Sequence, residues 1–482
     1  MRSVVFSTLA LALLSQRAGA DTTLSLDPKS NWGTWEGWGV SLAWWAKAFG
    51  NRDDLADVFF TRNNQVINGQ NLPGLGFNIV RYNAGASSFN TYNGASMVVS
   101  SDMKPSRQIE GYWLDWASSD PSSSSWNWTV DSNQRAMLQK AKARGANIFE
   151  LFSNSPMWWM CYNHNPSGNG LLENLQSWNY QNHTVYLATI AQYAKQNWGI
   201  DFQSVEAFNE PFSPWGLVSG TQEGCHFGVS TMATVINYLH GELARRGLSS
   251  FIAASDENSY DVAVLDWVGI GSSAQNLVTR INVHGYQGSG GRRDALYTLA
   301  NQAGKRLWNS EYGDDDASGK SMYSNMVLDF TWLHPTAWVY WQAIDIPGWG
   351  LIVGDNDQLT LSSATTKYFV LAHFARHIRP GMRIMSTLDD NTAAAYDPAS
   401  QKLVIVAANW GNAQTITFNL SSAKSAGSNG AIVPRWSTQT NQTNGPDQYT
   451  SFTDTTINNG KFSVPFSTGQ VQTFEISGVV LT

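Results

Sequence analysis

Between residues 36 and 378 the chain alternates short runs that are apolar at nearly every position with longer amphipathic stretches. The short runs fall at 38–44, 76–83, 147–153, 204–209, 251–255, 280–284, 306–310 and 337–342. A strand that is apolar on both sides is covered on both faces, as in a parallel sheet wrapped by helices. The stretches between them read as helices with recognisable ends. Residues 132–144 stop at Gly145, 184–198 at Gly199, 229–246 at Gly247, and 321–332 ahead of Pro335. Glycine supplies the left-handed conformation that closes a helix, and proline cannot continue one. Eight strands alternating with helices predict an α/β fold, a closed (β/α)8 barrel spanning residues 31–379.

The pattern changes near Pro380. Runs at 393–396, 403–409, 415–419, 431–434, 461–464 and 472–476 are short and alternating, separated by Gly, Asn, Ser and Asp turns. They predict an antiparallel β-sandwich over residues 380–482. Residues 22–26 read as one more such strand lying before the barrel, so segment 21–30 is expected to join a side-associated sandwich built from both chain ends. Segment 84–131, between the second strand and its helix, is long. Loops that follow barrel strands build the functional face, so this one is read as a cleft wall.

Composition sharpens the picture. Charged residues make up only 14% of the chain, well below the ~25% of ordinary soluble domains. The net charge is -7 and there is no basic run, which argues against a nucleic-acid partner. The 22 Trp, 17 Tyr and 21 Phe exceed what a core needs. Exposed rings in a cleft pack on the C–H faces of sugars while polar neighbours read the hydroxyls. Residues 1–20 have the form of a signal peptide: Arg2, an apolar run from Val4 to Leu14, and Ala18-Gly19-Ala20 as the cleavage site. No later stretch is long and apolar enough to span a bilayer. The chain is therefore expected to be secreted and monomeric, with no membrane partner. Asn-x-Ser/Thr sequons at Asn127, Asn182, Asn419 and Asn441 are expected glycosylation sites. Only Cys161 and Cys225 occur, too few for a cysteine-ligated zinc site or a disulfide scaffold. They fall beyond adjacent strands three and four, and a disulfide between them is expected, because two cysteines in a secreted chain usually pair.

Cleaving a glycosidic bond takes a proton donor for the leaving oxygen and a carboxylate for the oxocarbenium-like carbon. Both belong at the C-terminal ends of barrel strands. Glu210 of Asn209-Glu210-Pro211 ends the fourth strand, and Glu311 of Trp308-Asn309-Ser310-Glu311 ends the seventh. There is no Gly-x-Ser-x-Gly elbow, no phosphate-binding loop and no complete dinucleotide fingerprint. Asp314–Asp316 and Asp355–Asp357 read as solvated loop acids, Glu206 and His284 as structural residues, and no metal or cofactor is called for.

The Asn209-Glu210-Pro211 motif and Glu311 resemble the acid/base and nucleophile of the clan A retaining glycosidases. The two-ended sandwich resembles glycoside hydrolase family 30. Gly37-Trp38-Gly39, Ser155-Pro156-Met157-Trp158-Trp159 and Trp341 are similar to the fungal endo-β-1,6-galactanases of that family. The resemblance implies that Glu210 is the acid/base and Glu311 the nucleophile. It implies that Asn209 binds the sugar 2-hydroxyl and that Arg81 pairs with Glu311 and keeps it ionised. It further implies that Tyr286 contacts the nucleophile, that Trp158, Trp159 and Trp341 stack on sugar rings, and that Asn154 makes a sugar contact. The expected activity is endo-cleavage of β-1,6-galactan, the galactan side chains of arabinogalactans, with retention. A β-1,6-glucanase of the same family and a non-catalytic carbohydrate-binding barrel stay open at this point.

Overall fold

The computed structural model describes residues 21–216, 220–441 and 447–481. The expected signal peptide lies outside the described residues. Eight parallel strands close into a barrel: β1 (Gly37–Ser41), β2 (Ile79–Asn83), β3 (Ile148–Phe152), β4 (Ser204–Glu206), β5 (Phe251–Glu257), β6 (Val278–His284), β7 (Arg306–Tyr312) and β8 (Ala337–Tyr340). All eight expected strands are present, and β8 pairs with β1 to complete the circle, Trp338 opposite Trp38. The close fit of the first strand depends on Gly37. Its φ of +147° is open to glycine, and a Cβ there would overlap the Asn78 side chain.

Helices Ser132–Ala143, Tyr180–Tyr193, Val229–Arg245 and Lys320–Leu328 occupy the expected stretches. Two of them, after Tyr193 and after Leu328, loosen into a wide final turn that ends at Gly199 and at His334, both left-handed. Segment 84–131 crosses the catalytic face with a small hairpin, Thr91–Tyr92 against Ala95–Ser96, and a short turn of helix at Pro105–Arg107.

Beyond helix Thr366–Ala375, six antiparallel strands form a sheet, in the order Arg383–Ile384, Thr392–Asp397, Lys402–Asn409, Gln470–Ile476, Arg435–Gln439, Gln448–Phe452. It faces a three-stranded sheet in which Thr22–Ser25 pairs, in parallel, with Gln414–Asn419, itself beside Lys461–Phe466. Strand Lys402–Asn409 is apolar at most positions because both its faces are covered. Leu403, Ile405 and Ala407 pack inside the sandwich with Phe418, Phe462 and Phe474. Val404 and Val406 join the barrel core instead, with Val370 and Phe374. This shared sheet fixes the sandwich to the barrel. The strand expected at 431–434 is displaced: residues 431–433 make only an isolated bridge, Ile432 opposite Thr456, and the strand itself runs Arg435–Gln439, after Pro434, which has no N–H to donate. Gln448–Phe452 is a strand that alternation did not reveal, since all five positions are partly or fully exposed.

Candidate active site

β4 and β7 deliver Glu210 and Glu311 to one pocket of about 350 Å3 at the C-terminal end of the barrel. A carboxylate oxygen of each and a ring nitrogen of His284 lie within 4.8 Å of one another. Retaining glycosidases hold their carboxyl groups about 5–5.5 Å apart, and inverting ones leave about 6.5–9.5 Å for a water. Nearest atoms this close fit the retaining spacing better than the inverting one.

Each carboxyl is held from behind. Glu311 is buried, with Oε2 accepting from Arg81 Nη1 at 2.7 Å and Oε1 from the Tyr286 hydroxyl at 2.8 Å. Glu210 Oε1 lies 3.0 Å from His284 Nδ1, and Oε2 accepts from Ser213 Oγ at 3.3 Å. The backbone of Glu210 is left-handed (φ 46°), as is that of Asp256 (φ 61°). The two are tied by a 2.8 Å bond from the Glu210 N–H to the Asp256 carbonyl. Such backbone is costly for a side chain with a Cβ and persists where surrounding contacts enforce it.

Beneath the pair is a buried charge lattice. The Arg81 guanidinium bridges three carboxylates, Glu311, Asp256 and Glu150. Glu150 also accepts from Arg280 and, at 2.8 Å, from Ser204 Oγ. Asp256 Oδ1 accepts from Ser310 Oγ at 2.5 Å and lies 3.2 Å from His284 Nε2. Burial would raise the Asp256 carboxyl, but Arg81 and His284 outweigh it and hold the pKa at about 2. Burial would likewise strip the proton from His284. Glu311 and Asp256 reverse that and lift its pKa to about 10, so it is an imidazolium at neutral pH. Its Nδ1 therefore donates to Glu210 Oε1.

Arg81 pairs with Glu311 and favours its ionised form, as expected, but it does not act alone. Burial raises the Glu311 carboxyl above its ordinary range, and His284 and Arg81 together pull it back only part of the way. Two cations face this one carboxyl because one would not hold its charge in so dry a place.

Of the residues named from sequence, Asn209, Glu210, Tyr286, Glu311 and Trp341 line the pocket, and Arg81 supports it from below. Asn209 is buried with its Oδ1 unpartnered, as a group awaiting a ligand hydroxyl would be. Trp158 is not a sugar platform. It is fully buried, and its Nε1 donates to Ser88 Oγ at 2.6 Å. Trp159 lies outside this pocket, and its Nε1 donates to the Trp113 carbonyl. Asn154 is buried outside the pocket lining, its backbone N–H on Asn83 Oδ1. Cys161 and Cys225 are buried free thiols, so the expected disulfide is absent. Cys161 Sγ faces the Pro156 and Met157 carbonyls, and Cys225 Sγ that of His226.

Sequence reasoning missed Trp44 and Trp349, which with Trp341 give the pocket its indole walls, and Arg107 from the long loop, stacked 4.3 Å over Trp44. Trp44 is buried with no partner for Nε1. Asp314 and Asp357 are not solvated loop acids. Asp314 pairs with Lys367 at 2.5 Å, and Asp357 holds Ser106 through its N–H and Oγ.

Comparison with known proteins agrees with this geometry. A family model described as O-Glycosyl hydrolase family 30 matches residues 21–270. Over 481 residues, 100% of each chain, the protein is 77% identical to an endo-beta-1,6-galactanase of Hypocrea rufa. The catalytic domain of GH30 xylanase C from Talaromyces cellulolyticus superimposes with a TM-score of 0.68 at 21% identity, covering 94% of this chain and 100% of that one. An endo-beta1,6-glucanase does so with a TM-score of 0.62 at 14% identity, covering 95% and 96%. At those identities the two structures speak for the fold.

Proposed function

The chain belongs to glycoside hydrolase family 30, and from that premise we propose that it cleaves β-1,6-galactosidic linkages within galactan chains, with retention, as a secreted glycosylated monomer. The observation that carries the chemistry is the close pair Glu210 and Glu311. The full-length likeness to a galactanase carries the substrate. The remoteness of the glucanase leaves β-1,6-glucan as the weaker reading. A non-catalytic barrel does not fit two carboxyls at retaining distance with intact support.

In the first step Glu311 attacks the anomeric carbon while the C–O bond to the leaving sugar breaks, and that oxygen takes the proton of Glu210. In the second, Glu210 takes a proton from water as its oxygen attacks the same carbon and the bond to Glu311 breaks. His284 Nδ1 on Oε1 and Ser213 Oγ on Oε2 hold the Glu210 carboxyl in place for proton transfer. Tyr286 and Arg81 keep Glu311 aimed, and Asn209 is placed to bind the 2-hydroxyl. Trp44, Trp341 and Trp349 exclude water and offer flat faces to the rings. Secretion is supported by the form of residues 1–20 and by the four sequons.

Digestion of arabinose-stripped β-1,6-galactan beside linear β-1,6-glucan tests the substrate. Short galacto-oligosaccharides early in the digest and little from glucan are expected. Rapid glucan hydrolysis with galactan untouched would overturn the assignment.

A further inference from the structure

A second aromatic cleft, of about 380 Å3, lies on the rim of the barrel and shares no lining residue with the catalytic pocket. Trp116 comes from the long loop after β2, and Trp159 and Trp178 come from the loop after β3. Trp178 is 69% exposed and Trp116 43%. Indoles left this open in water are unfavourable without an occupant, and amides of Gln176, Asn179 and Asn182 sit among them. Flat apolar faces with interleaved amides are the chemistry that receives a pyranose.

Asn182 decides which pyranose. It lines the cleft and is also the acceptor of the sequon Asn182-His183-Thr184. It is the third residue of helix Tyr180–Tyr193, and its Nδ2 donates to Asn179 Oδ1 at 2.7 Å. Glycosylation replaces one of its two amide hydrogens, so the other remains to make that bond. His183 is fully buried, and Thr184 is buried with its hydroxyl on the Gln181 carbonyl, so both beside the acceptor are committed to the fold. None of Asn127, Asn419 and Asn441 lines this cleft.

We propose that Asn182 carries an N-linked glycan whose first sugars lie in the Trp116–Trp159–Trp178 cleft and brace the two loops that wall the catalytic face. The inference rests on the reading above of a secreted, glycosylated chain. The bond forms between Asn182 Nδ2 and C1 of an oligosaccharide carried on a polyprenyl diphosphate. The C1–O bond to the diphosphate breaks, and Nδ2 loses one proton. The sequon threonine is buried in the folded protein, so attachment precedes folding.

The test uses the protein as secreted. Glycopeptide mass spectrometry reads all four sequons. Release of the Asn182 glycan by an amidase under native conditions is then timed in the natural chain and in Trp178→Ala and Trp116→Ala. A glycan at Asn182, released roughly two- to tenfold faster once either indole is removed, is expected from the worth of a ring contact. Equal release rates overturn the docking. Glycans on other sequons with Asn182 bare overturn this inference alone and leave the cleft open to polysaccharide. Bare asparagine at all four sequons overturns the reading of a glycosylated chain and this inference with it.

Discussion

His284 ties folding stability to the protonation of the active site in a way that a pH series can expose. Its pKa is 6.5 in an unfolded chain and about 10 in the folded protein, where Glu311, Asp256 and Glu210 surround it. Its contribution to stability is complete below pH 6.5 and is lost as the pH rises through about 10. Between those limits the loss runs at about 1.4 kcal/mol per pH unit, or about 3 kcal/mol from pH 6.5 to roughly pH 9. His284→Gln removes the titrating group. The expected outcome is that the natural chain is much the more stable at pH 6.5 and that its advantage narrows by about 3 kcal/mol by roughly pH 9. Urea unfolding followed by tryptophan fluorescence at several pH values measures this directly. Stability curves for the two proteins that stay parallel across that range would refute an imidazolium at this position. So would a variant that loses stability faster than the natural chain.

Other outcomes follow from the same geometry. Glu311→Ala supplied with azide is expected to give the α-glycosyl azide and Glu210→Ala the β-azide, both identified by NMR; exchanged products would reverse the assigned roles. Trp44→Phe keeps the ring and removes the unpartnered Nε1–H, so kcat/KM on galactan is expected to fall by up to about tenfold with Tm little changed; an unaltered kcat/KM would take Trp44 out of substrate recognition. Protein denatured without reductant is expected to react with two equivalents of a thiol reagent, one each for Cys161 and Cys225; zero equivalents would mean that the two are bridged.

The barrel was legible because burial on both faces writes itself as uninterrupted apolar runs, and glycines at 145, 199 and 247 marked where helices stop. The two catalytic glutamates were legible because strand ends are recognisable and the chemistry wants carboxyls there. The lattice beneath them was not. Arg81 meets Glu150, Asp256 and Glu311 across 69, 175 and 230 residues of chain, and no local pattern records such a convergence. Asp256 stands beside Glu257 at the end of β5, and only the fold tells which of the two faces the site. Tryptophan content pointed to sugar platforms without telling Trp44, which lines the pocket, from Trp158, which packs behind it. The strand Gln448–Phe452 escaped notice because an exposed edge carries no apolar alternation.

Proton NMR of the first seconds of β-1,6-galactan hydrolysis asks the molecule for both its substrate and its stereochemistry at once. Glu210 and Glu311 at retaining distance predict that the new reducing end appears as the β-anomer and drifts to the α-form only by mutarotation. An α-anomer formed first, or no new reducing end at all, would contradict the account.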